Sequence, residues 1–134
     1  MKIRIGFVSN SSSSSYLVAG FYINPITEPS DDYYEWWEKN EENKRIQTKE
    51  LRERTGESRI SLFDPQVNAE QGTPLIVGYR IGYGDSPMEV DVEDMEELSP
   101  IIQTLIELRD QFLLAGRATR DDRIKIIAGE EGNE

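Results

Sequence analysis

Apolar residues fall on alternate positions at the start of the chain. From Met1 to Val8, Ile3, Ile5 and Phe7 share one face and Lys2, Arg4 and Gly6 the other, the period of a half-buried strand. The tract Ser9-Asn10-Ser11-Ser12-Ser13-Ser14-Ser15 interrupts this pattern, and serine side chains compete for local backbone hydrogen bonds, so a loop is expected there. Tyr16 to Ile23 is apolar on both faces through Leu17, Val18, Phe21 and Ile23, which suits a central strand. The two segments together predict a hairpin with a serine tip. Alternation returns between Leu75 and Tyr83, with Leu75, Val77, Tyr79, Ile81 and Tyr83 opposite Ile76, Gly78, Arg80 and Gly82. Gly84-Asp85-Ser86-Pro87 is turn chemistry. Met88, Val90 and Val92 then alternate with Glu89, Asp91 and Glu93, predicting a second hairpin with one wet, acidic face.

Helical signals occupy the segments between. Pro25 and Pro29 close the second strand, Ser30 is the expected N-cap, and Asp31 and Asp32 suit the positive end of a helix dipole. Tyr33, Tyr34, Trp36 and Trp37 form an aromatic start. From Glu38 to Arg59 only Ile46 and Leu51 are large and apolar, so this helix should bury little beyond that start, with a candidate break near Thr48 and a stop at Gly56. A short strand is expected from Arg59 to Phe63. Ser99-Pro100 supplies an N-cap and a first-turn proline, and Gly116 a C-terminal stop. Between them Leu98, Ile101, Leu105, Leu108 and Phe112 recur in steps of three and four, predicting an amphipathic helix. Arg123 to Ala128 reads as a last strand. The expected fold is α+β: an antiparallel sheet from two hairpins plus a C-terminal strand, packed by the amphipathic C-terminal helix and a second, highly charged one. Residues 1–128 form one domain in this reading, and residues 129–134 a frayed acidic tail.

Composition narrows the chemistry. The 134 residues suit one domain. No cysteine and no histidine are present, which excludes disulfides, thiolate metal sites, cysteine nucleophiles and histidine as base or ligand. The net charge is −11, with 12 acidic and 9 basic groups in residues 1–70 and 14 and 6 in the rest. Such a chain is repelled by nucleic-acid backbones unless a basic patch outweighs the remainder. Lys44, Arg45, Lys49, Arg52, Arg54 and Arg59 are interleaved with Glu41, Glu42, Glu50, Glu53 and Glu57, a pattern of self-paired helical surface. Direct nucleic-acid binding is therefore not expected; a protein partner with a basic surface is. No apolar run reaches membrane-spanning length and the N-terminus carries no signal-peptide pattern, so the expected location is cytoplasmic, or a virus particle if the protein is structural.

Four features of the sequence have the composition of a site. Gly78, Gly82 and Gly84 have the wrong spacing for a dinucleotide fingerprint and read as strand packing plus a turn. Asp85, Glu89, Asp91, Glu93, Asp94, Glu96 and Glu97 place seven carboxylates in 13 residues. Asp91, Glu93 and Asp94 are the candidate ligands for a hard divalent cation, against the simpler reading of a solvated face. Tyr33, Tyr34, Trp36 and Trp37 cannot all occupy one helical stripe, so one or two should be exposed as a candidate interface. Asn10, Ser11, Ser12, Ser13, Ser14 and Ser15 are a candidate recognition or modification loop, against that of a simple connector. No catalytic residue and no cofactor is assigned.

The opening GFVSNSSSSSY, Gly6 to Tyr16, resembles an N-terminal signature of small proteins of tailed bacteriophages and related mobile elements, with Tyr16 where phenylalanine is more usual. The likeness covers about the first 16 residues and carries no catalytic residue. It implies a phage setting, and with the acidity and the aromatic surplus it leads to the expectation of a non-enzymatic accessory protein acting by protein–protein contact. The alternative is a divalent-cation-dependent enzyme or metal-binding protein using the 85–97 carboxylates.

Overall fold

The strand that is apolar on both faces takes the middle of the sheet. In chain order the elements are β1 (Lys2–Ile5), β2 (Ser13–Ile23), α1 (Tyr33–Thr55), β3 (Ile60–Phe63), β4 (Leu75–Gly84), β5 (Met88–Asp91), α2 (Leu98–Leu114) and β6 (Lys125–Gly132). They come from a computed structural model that describes residues 2–5, 13–65, 70–84, 88–91, 98–118 and 123–132. Four strands form an antiparallel sheet in the order β3-β4-β2-β6, and β1 and β5 form a separate antiparallel pair. The class is α+β.

Pairing departs from the two sequential hairpins that the pattern suggests. β2 pairs with β4 from Ser15↔Gly84 to Ile23↔Leu75, and with β6 from Ser13↔Gly132 to Gly20↔Lys125. A strand apolar on both faces needs neighbours on both edges, and β4 and β6 take them. β1, whose sequence alternates, pairs with the other short alternating strand, Lys2↔Asp91 through Ile5↔Met88. The β1–β5 register runs in the same sense as the β2–β4 ladder. Ser13, Ser14 and Ser15 of the serine tract are strand residues opposite Gly132, Glu131 and Glu130, while Ser9 to Ser12 lie outside the described residues. Tertiary pairing overrides the weak strand preference of serine. The same ladder takes Gly129–Gly132 into β6, so the expected tail is strand as far as Gly132.

The core lies between one sheet face and the helices. Ala19, Phe21 and Ile23 of β2, Ile60 and Leu62 of β3, and Leu75, Val77 and Tyr79 of β4 meet Leu98, Ile101, Leu105, Leu108 and Phe112 of α2. The α2 residues are those whose spacing predicted the helix, each worth about 1.5–3 kcal/mol of burial. Phe21 and Phe112 meet edge to face at 5.8 Å. α2 ends at Gly116 (φ 70°): the Gly116 N–H donates to Leu113 O, the Arg117 N–H to Phe112 O, and the Arg117 guanidinium covers the Phe112 ring at 4.5 Å. This is the Schellman closure with its usual contact across the cap. On the opposite sheet face Val18, Ile76 and Ile127 form a smaller cluster with Tyr22 and Phe63. There Gly20 faces Gly78 across the ladder, so close that a Cβ on Gly20 would lie 2.2 Å from Val77 O. β4 carries a bulge beside this pair, since Leu17 opposes Gly82 but Val18 opposes Arg80.

α1 is a single unbroken helix. Its N-cap is Asp32, whose Oδ1 accepts from the N–H groups of Tyr34 and Glu35 at 3.0 and 3.4 Å. Ser30, the expected cap, is held outside by a two-way bond with Gln71, which accepts from Ser30 N–H (2.7 Å) and donates to Ser30 O (2.8 Å). The helix stops at Gly56 (φ 71°), as the sequence implied. No break occurs at Thr48 because its hydroxyl turns away from the helix and accepts the Leu62 N–H at 3.2 Å.

Candidate functional site

The inward face of α1 is largely polar, and from Asn40 to Arg52 its polar side chains have partners. Buried Asn40 accepts from the Thr27 hydroxyl at 2.7 Å, and Asn43 donates to Thr27 Oγ1 (3.1 Å) and Ile26 O (3.4 Å). Gln47 accepts from Arg117 at 2.5 Å, tying α1 to the end of α2. Further along, Thr48 accepts the Leu62 N–H and Arg52 Nε donates to Ile60 O at 2.9 Å. β3 is an edge strand, and an edge exposes unpaired backbone groups. α1 thus satisfies those two edge groups of β3 with side chains. The sequence reading missed this role. Its signal is that Trp36, Asn40, Asn43, Lys44, Gln47, Thr48, Leu51 and Thr55, at helical spacing, include none of the six glutamates of α1.

Charge divides α1 along its length. Residues 31–42 carry six acidic groups and one lysine; residues 44–54 carry five basic and two acidic groups. This order complements the helix dipole. At the acidic end Trp36 is 4% exposed and turns inward, with Nε1 lacking a hydrogen-bond partner among the described residues. Tyr33 packs on it at 5.6 Å and meets Tyr34 edge to face at 5.9 Å. Tyr34 and Trp37 are 76% and 45% exposed, and Tyr33 lies at 38%. Three of the four aromatics therefore reach solvent, one more than the upper expectation, because only Trp36 falls on the inward stripe. Glu28, Asp31, Asp32, Glu35 and Glu38, close to them in sequence, are exposed, and Glu35 pairs with Lys39 at 3.3 Å.

At the basic end a groove of about 450 Å³ opens between α1 and β3, lined among others by Lys44, Arg45, Thr48, Lys49, Arg52 and Ser61. Lys44 bonds to Asp64 and, at 2.7 Å, to Glu41. Burial pulls the Lys44 ammonium downward, but the hydrogen bonds and charges of Asp64 and Glu41 outweigh it and hold its pKa above the usual lysine value. Arg45 pairs with Glu42 at 2.7 Å. Arg59 pairs with Glu57 at 3.0 Å, which lowers the Glu57 carboxyl below its ordinary range mainly through that hydrogen bond. Arg59 also donates to the Tyr79 hydroxyl at 2.5 Å. Self-pairing thus accounts for part of the basic segment, as its interleaved sequence implied.

The other candidates are less fully placed. Ser13–Ser15 lie in β2, while Asn10, Ser11 and Ser12 lie outside the described residues. Asp91 ends β5; Glu93 and Asp94 lie outside the described residues. Among the described residues no group of three or more carboxylates is placed to hold a metal ion, and no helix is long and apolar enough to cross a membrane. The fold thus defines an α+β protein whose first helix is split into an acidic, aromatic end and a basic end. No family model, no curated protein and no solved structure matches this chain.

Proposed function

We propose that this chain is a small acidic accessory protein of bacteriophage type that works by protein–protein contact rather than catalysis, in the host cytoplasm or within the particle. Its partner presents a basic surface to the start of α1. The observation that carries this reading is the exposure of Tyr34 and Trp37 together with that of Glu28, Asp31, Asp32, Glu35 and Glu38. Aromatic side chains supply contact area at low entropic cost and attract cations over their faces, and exposed carboxylates speed encounter with a basic partner. Binding of this kind should weaken as salt rises. The N-terminal likeness to phage proteins supports the setting.

The test compares two baits in a bacterial lysate and in purified particles. The wild-type chain is expected to retain a partner that high salt releases, and the Tyr34→Ala/Trp37→Ala chain to lose it while remaining folded. A captured set unchanged by the double substitution, with the protein absent from particles, would sink the proposal.

A further inference from the structure

The basic end of α1 has more hydrogen-bond donors than the protein uses. Arg52 spends Nε on Ile60 O and one terminal nitrogen on Ser61 Oγ at 2.7 Å, which fixes the guanidinium at the groove wall and leaves the other N–H groups unassigned. Ser61 Oγ thereby accepts, as Thr48 Oγ1 does from Leu62, so each hydroxyl keeps its own proton to donate. Lys49 lines the same groove and makes no hydrogen bond or ion pair among the described residues. Of the four cationic side chains that line it, Lys44 is engaged by Asp64 and Glu41 and Arg45 by Glu42, which leaves Lys49 and Arg52 without a carboxylate partner among the described residues, opposite the single carboxylate of Glu53. A concavity with net positive charge and surplus donors stands out in a chain of net charge −11.

We infer that this groove binds a phosphorylated small molecule, its phosphate held by Lys49, Arg52 and the hydroxyls of Thr48 and Ser61. A phosphate presents several strong acceptors to a fixed fork of donors, which is the match that Arg offers best. The volume of about 450 Å³ is within the range of small-ligand sites and exceeds a bare ion, leaving room for an organic body. A polyanion does not fit, because a nucleic-acid strand leaving the groove would run over the acidic surface that dominates the rest of the molecule. Glu53 is the opposing group: it lines the groove and makes no ion pair with Lys49.

The test is titration with inorganic phosphate at constant ionic strength, with chloride as control, followed by backbone amide shifts and thermal midpoint. Saturable shifts at Thr48, Lys49, Ser61 and Leu62 are expected with phosphate and not with chloride. Lys49→Gln should weaken binding about tenfold, the loss of one charge-assisted hydrogen bond. Glu53→Gln should tighten it, and Lys39→Gln, at the far end of α1, should leave it unchanged. Absence of a saturable response in the wild-type chain overturns the inference, as does an equal response in Lys49→Gln. A short single-stranded DNA binding more tightly than phosphate would also overturn it, in favour of a nucleic-acid groove.

Discussion

At the scale of single residues, two positions carry unusual constraint. Gly20 has no room for a methyl group, since both atoms nearest its ideal Cβ, Val77 O and Gly78 Cα, are backbone and cannot swing aside. Gly20→Ala should therefore destabilise the protein by about 3 kcal/mol, the upper range for overpacking. Gly56→Ala should cost only about 1 kcal/mol, because its Cβ would meet open space and only the positive φ is strained. Urea unfolding of the two variants separates these outcomes. Lys44 provides a pH test. Its folded pKa is raised above 10.5, so its contribution to stability is fully present below that value and is lost as pH rises through the folded one. The stability gap between wild type and Lys44→Met should hold steady from neutral pH and narrow above about pH 10.5, as urea unfolding across that range would reveal.

At the scale of elements, the pattern reveals what is buried by apolar side chains and misses what is held by polar ones. α2 was legible because Leu98, Ile101, Leu105, Leu108 and Phe112 repeat with the helical period and all five are buried. α1 was legible at its aromatic start and its glycine stop, but its inward stripe is built from Asn40, Asn43, Lys44, Gln47 and Thr48, which no hydropathy pattern marks. Their partners, Thr27, Asp64, Leu62 and Arg117, come from other parts of the chain. Long-range hydrogen bonds leave no local periodicity. The groove was hidden for the same reason, since Ser61 and Thr48 meet only when β3 docks on α1. Removing one such bond should be felt although the helix surface is so charged. Thr48→Val strands the Leu62 N–H at the sheet edge and should cost about 1–3 kcal/mol, whereas the neighbouring Lys49→Gln should stay within about 0.5 kcal/mol. Thermal or urea melts of the pair measure the contrast.

At the scale of the whole molecule, the strand segments were legible from alternation and their partners were not. Alternation says how many faces a strand buries, so Tyr16 to Ile23 was readable as central; it does not say which strands flank it. A sequential hairpin is the simplest assumption, and it fails because both edges of β2 go to strands far along the chain. That arrangement has a consequence in time. Between Ile23 and its partner Leu75 lie α1, β3 and their connections, and β6 comes later still. Closing such long loops precedes any reward from pairing, so refolding should take milliseconds to seconds, as in domains dominated by non-local contacts. Stopped-flow refolding in the microsecond range would contradict this. During synthesis the same order means that β2 leaves the ribosome well before either partner. Its second edge stays open until residues 125–132 have been made, and until then the nascent chain carries an unsatisfied apolar strand that a chaperone, or another copy, can reach first.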